Sequence, residues 1–122
     1  MAEKTNAAYQ TYEGSGLSAI IASEMASCHA MWQRWQFVVD SSNVPEFTRA
    51  LLPDLSSQNA ARKAGYWLKK SKTSARAEKY DQGEIVAMMA EAQEAADEEY
   101  AWWINNDPDK QFSLPRNLGT CR

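Results

Sequence analysis

The chain has 122 residues and a mass of 13.7 kDa, which suits one domain and leaves no room for two ordinary ones. Apolar residues make up 44% and charged residues 24%, a balance that excludes a disordered or fibrous chain as the default. The net charge is only −3, but that small figure hides a sharp separation of sign along the chain.

Residues that favour helices dominate and runs of β-branched residues are nearly absent, so the sequence reads as all-α. The first 13 residues offer a short helix around Ala8, Tyr9 and Tyr12, within an N-terminal arm of residues 1–16. The strongest segment runs from about Leu17 to Val39. There Ile21, Met25, Cys28, Trp32, Trp35 and Val39 recur at spacings of three and four, and Leu17, Ile20, Met31 and Val38 widen the stripe to an arc that fits a core-packed helix. Trp32 and Trp35 on that arc read as core. Asn43 is placed to cap a short helix opened by Pro45 and Glu46, which carries Phe47, Ala50 and Leu51 and stops before Pro53. A third helix is expected over about 56–72, capped by Asp54 or Ser56, with Lys69, Lys70 and Lys72 near its carbonyl end, and Thr73-Ser74 restarting the chain. Asp81 and Glu84 form a capping box for a helix from about Gln82 to Ile104, roughly 35 Å long at 1.5 Å per residue. Residues 105–122, with Pro108, Pro115 and Gly119, read as an irregular tail wrapped on the body. The expectation is a single domain, 1–122, built as a bundle of four to five helices whose core lies within 17–104.

Between Arg62 and Lys79 stand seven basic residues and one acid, whereas from Tyr80 to Asp109 there are nine acids and no base. The basic stretch, with Arg62, Lys63, Lys69, Lys70, Lys72 and Arg76 around Tyr66 and Trp67, has the make-up of a nucleic-acid contact, cations for phosphates and aromatics for bases. A solvated face, or an inner partner of the acidic helix, accounts for the same residues and is the preferred reading. Glu84, Glu91 and Glu98 recur every seven residues with Glu94 beside them, forming either a negative ridge or an ordinary solvent face. Residues 58–65 resemble the first helix and turn glycine of a helix-turn-helix unit. Ser71 and Ser74 stand where the recognition helix of that family buries apolar side chains, so the resemblance stops at eight residues.

Catalytic constellations are missing. His29 is the only histidine, and its neighbour Cys28 projects about 100° away on a helix. A di-iron carboxylate bundle needs two Glu-x-x-His pairs and is excluded, and Glu91, Glu94 and Glu98 need carboxylates from a second helix to hold a hard cation. No phosphate-cradling glycine loop or nucleophile elbow occurs. The reading is therefore non-enzymatic, with no cofactor or metal. Of Trp102 and Trp103, one packs inward and the other lies near the surface at the tip of the acidic helix, so Glu91, Glu94, Glu98, Trp102 and Trp103 form the expected protein interface. A tail folded over that tip through Phe112 and Leu114 explains the same two tryptophans. The expected role is a regulator, inhibitor or assembly component that binds a protein or a copy of itself, with nucleic-acid binding through residues 62–79 as the alternative.

No window approaches the ~18 consecutive apolar residues of a membrane span. Glu3, Glu13 and Glu24 break up any export signal, and Met25-Ala26-Ser27-Cys28 only loosely resembles a lipoprotein cleavage box inside a helical pattern. With two cysteines 93 positions apart, no disulfide framework is expected. The prediction is a cytoplasmic protein with both thiols free.

Overall fold

In the computed structural model, which describes residues 1–122, the chain forms α1 (Ala2–Glu13), α2 (Ala22–Ser41), α3 (Pro45–Ala50), a 3-10 turn (Pro53–Leu55), α4 (Ser57–Ala77), α5 (Gln82–Ile104) and α6 (Ser113–Leu118), and no strand. The all-α expectation holds. Helix α2 is the axis: α4, α5 and α6 all pack on it, while α4 and α5 scarcely touch each other. The reason is its apolar arc. Met25, Ala26, Cys28, Trp32 and Trp35 are all buried, with both tryptophans fully so, and each large side chain removed from water stabilises the fold by roughly 1.5–3 kcal/mol. Trp35 donates through its indole to the Leu55 carbonyl at 3.0 Å, and its ring meets Trp103 edge to face at 5.2 Å between centroids.

Several boundaries differ from expectation, each for a local reason. Helix α2 starts at Ala22 and not at Leu17, because the Glu24 carboxylate turns back to accept from the backbone N–H groups of Ile20 and Ile21 at 2.9 and 3.1 Å. Leu17, Ile20 and Ile21 are consequently exposed rather than part of the arc. Asn43 does not cap α3; the cap position falls one residue later, on Val44, with Pro45 in the first turn. Ser56 does cap α4, accepting from Asn59 N–H at 3.2 Å. That helix then runs through Thr73-Ser74 to Ala77 without restarting, since Ala75 is buried and no proline interrupts it. Residues 58–76 thus lie in one continuous helix, with no turn at Gly65. The Asp81–Glu84 box opens α5 as expected, with reciprocal bonds of 2.8 and 3.0 Å.

The largest differences lie at the end of the chain. The tail holds a helix, α6, in which Pro115 occupies the third position, where a missing amide hydrogen breaks no intrahelical bond. Leu114 and Leu118, one turn apart, are fully buried between α1 and α2. Beyond them Cys121 is joined to Cys28 by a disulfide, with Cα atoms 5.3 Å apart. The expectation of two free thiols is therefore overturned. No spacing rule predicts a bond across 93 positions; it arises because α6 brings the chain back over the middle of α2.

Candidate functional site

Helix α5 carries six acids, Glu84, Glu91, Glu94, Asp97, Glu98 and Glu99, and no lysine or arginine. Only Asp97 has an ion-pair partner, Arg34 of α2, whose guanidinium also stacks over the rings of Phe37 and Tyr100. Hydrogen bonds from Gln93, then from Arg34, hold the Asp97 carboxyl below the usual range. Glu84, Glu91, Glu94 and Glu98 are exposed and have no cation within 4.0 Å.

Beside Glu98 lies a groove of about 430 Å³ between α2, α5 and α6, with Met31, Ala95 and Trp102 as apolar walls and Ser27, Ser113 and Asn117 as hydrogen-bonding groups. It shares Ser27, Met31 and Asn117 with a second depression of about 330 Å³ that extends toward Leu17 and Glu24. Trp102 is partly exposed at the groove wall, with the Lys110 ammonium 4.7 Å from its ring centroid. Trp103 is different. It is buried against Trp35, Phe47 and Phe112, so it leaves the expected interface, and the tail folds over the helix tip through Phe112. What remains exposed of Trp103 faces another groove, of about 310 Å³, walled by Val44, Tyr100 and Ile104.

Sequence reasoning missed Glu99. It is buried in the floor of the groove, where its carboxylate accepts a hydrogen bond from the Asn117 amide. Burial, and then the neighbouring Glu98 charge, push its carboxyl above the usual range despite that bond. The signal was present in the register: Ile85, Ala92 and Glu99 follow at intervals of seven, which places a carboxylate on the core line of the helix. No lysine, histidine or cysteine lines the groove around it, so its walls offer negative charge, amide and hydroxyl groups and an aromatic ring. That combination is suited to holding a cationic, partly apolar segment.

On α4 the six cations face no acid of their own helix. Arg62, Lys69, Lys70 and Arg76 are exposed, Lys63 and Lys72 half-buried. Burial, reinforced by the Arg62 charge, lowers the Lys63 pKa. No ion pair joins α4 to α5, so the basic run is not the inner partner of the acidic helix. Tyr66 is exposed with the Lys70 ammonium 5.4 Å from its ring centroid. Trp67 is buried, its indole donating to the Cys121 carbonyl at 2.9 Å, and is withdrawn from any role in stacking on bases. The Cys28–His29 pair is likewise spoken for: the thiol is in the disulfide, and His29 Nδ1 donates to the Ala64 carbonyl at 2.8 Å. No three His, Cys, Asp or Glu side chains converge in a way that would hold a metal ion, and no helix is long and apolar enough to cross a membrane. No protein-family description, curated protein or solved structure matches this chain.

Proposed function

We propose that this chain is a non-enzymatic helical domain that acts by binding protein through the acidic face of α5, as a regulator, inhibitor or assembly component. The observation that carries this reading is the row Glu91, Glu94 and Glu98, exposed and without countercharge beside a groove walled by Trp102. A row of like charges left unpaired costs self-repulsion, which a cationic partner relieves. The test is affinity capture from the native cell with and without nuclease, using the chain and its Glu91→Gln/Glu94→Gln/Glu98→Gln variant. A protein retained after nuclease and lost with the variant supports the reading. Equal capture by both chains contradicts it.

Nucleic-acid binding is the second reading, favoured by the exposed, unpaired Arg62, Lys69, Lys70 and Arg76 with Tyr66 among them, and weakened by the burial of Trp67. A cytoplasmic placement implies free thiols, whereas the buried Cys28–Cys121 bond favours an oxidising compartment. Trapping thiols by alkylation in intact cells, followed by mass spectrometry, distinguishes the two.

A further inference from the structure

The two charged helices carry matching ladders. On α4, Arg62, Lys69 and Arg76 stand at intervals of seven; on α5, Glu84, Glu91 and Glu98 do the same. A seven-residue interval drifts by only ~20° on a straight helix, so each trio keeps to one face. Each spans fourteen residue-to-residue steps, or roughly 21 Å with rungs roughly 10.5 Å apart. All six side chains are exposed, and none has an ion-pair partner within its own molecule. The residues between the rungs of α5 include Ala87 and Ala95, both small and exposed, which leave room for a helix to approach. Outside the ladders, α4 adds Lys70 and α5 adds Glu94 with the same complementarity.

We infer that the partner of the acidic face is a second copy of this chain, its α4 ladder lying along the α5 ladder of the first. This rests on the protein-binding reading above and names its occupant. Whether the helices run parallel or antiparallel, Lys69 meets Glu91 at the centre, and the outer rungs Arg62 and Arg76 each meet a glutamate. Two different surfaces are in contact, so a pairing that does not close reciprocally leaves one unmatched ladder at each end. A helix face of this length covers far less than the ~800 Å² per partner of a stable interface. The contact is therefore weak, builds up with concentration and weakens with salt as the Debye length shortens from ~30 Å at 0.01 M to ~3 Å at 1 M.

The experiment is sedimentation of the full chain at low and high salt, alongside two reversals, Glu84→Lys/Glu91→Lys/Glu98→Lys and Arg62→Glu/Lys69→Glu/Arg76→Glu. The wild type is expected to associate at low salt and to dissociate at high salt. Each reversal alone, now carrying one sign on both helices, should associate at least roughly tenfold more weakly. An equimolar mixture of the two reversals should associate again, because each supplies the ladder the other lacks; circular dichroism of each confirms that loss does not come from unfolding. A wild type that stays monomeric at low salt at roughly millimolar concentration, or a mixture that fails to recover, overturns the inference. If that monomer still captures a nuclease-resistant protein through Glu91, Glu94 and Glu98, the docking function stands and only the second copy is wrong. A monomer that binds duplex through Arg62, Lys69 and Arg76 assigns the α4 ladder to nucleic acid and likewise overturns it.

Discussion

The indole of Trp32 donates a hydrogen bond of 2.6 Å to the carbonyl oxygen of Cys121, 89 residues further along the chain. Trp67 donates to the same oxygen. Two buried donors from α2 and α4 therefore converge on one acceptor at the end of the chain, and the disulfide fixes that end to the helix from which Trp32 projects. Replacing either tryptophan by phenylalanine should leave the carbonyl one donor, and the double replacement none. In a double-mutant cycle by urea unfolding, the pair should cost about 1 kcal/mol more than the sum of the singles, since the buried acceptor is orphaned only in the double variant.

Opening the disulfide should be expensive. A bond that closes a loop across 93 positions restricts the unfolded chain strongly, and Cys28→Ser/Cys121→Ser should lose about 2–5 kcal/mol in chemical denaturation. Reduction of the wild type under the same conditions should give a similar loss.

Two glycines should respond to alanine in opposite directions. A Cβ on Gly119 would lie 2.5 Å from the Tyr9 carbonyl oxygen and 2.6 Å from the Glu13 nitrogen, both backbone atoms of α1 that cannot swing away. Gly119→Ala should therefore destabilise the protein by about 1–3 kcal/mol by forcing α1 off α6. Gly65, in the middle of α4, has open space around its added Cβ, and Gly65→Ala should stabilise by about 0.5–1 kcal/mol. Thermal melts of the two variants measure both.

The raised Glu99 carboxyl makes a pH prediction of definite sign. A carboxyl whose pKa is higher folded than unfolded binds more protons when folded. Its contribution therefore weakens the fold as pH rises from the unfolded value through the folded one. Glu99→Gln, which keeps an acceptor for Asn117, should raise the melting temperature at neutral pH. The gain should vanish below the ordinary glutamate range, near pH 4. Asp97 and Glu24 act oppositely, since their lowered carboxyls lose stabilisation as pH falls.

What the sequence disclosed was local. The Asp81–Glu84 box needs only residues three apart, and the α2 arc needs only helical periodicity, so α5 and the burial of Trp32 and Trp35 were readable. The start of α2 was not, because one carboxylate, Glu24, captures two amides and redirects an apolar stretch into solvent. Trp67 looked available for bases because its neighbours are cationic; its burial depends on where α6 delivers Cys121, a tertiary fact. The acidic row on α5 is legible, but the groove beside it is built with α6, a six-residue helix that Pro115 and Gly119 disguise as irregular chain.

The central claim, that the acidic face of α5 is where this protein is engaged, is tested most directly by carboxyl footprinting. Carbodiimide labelling with mass-spectrometric readout would compare the dilute isolated chain with the chain in concentrated native-cell extract at low salt. Glu84, Glu91, Glu94 and Glu98 should be protected in extract relative to Glu3 and Glu46, which are exposed elsewhere on the molecule. Equal labelling of all six glutamates in both states would contradict it.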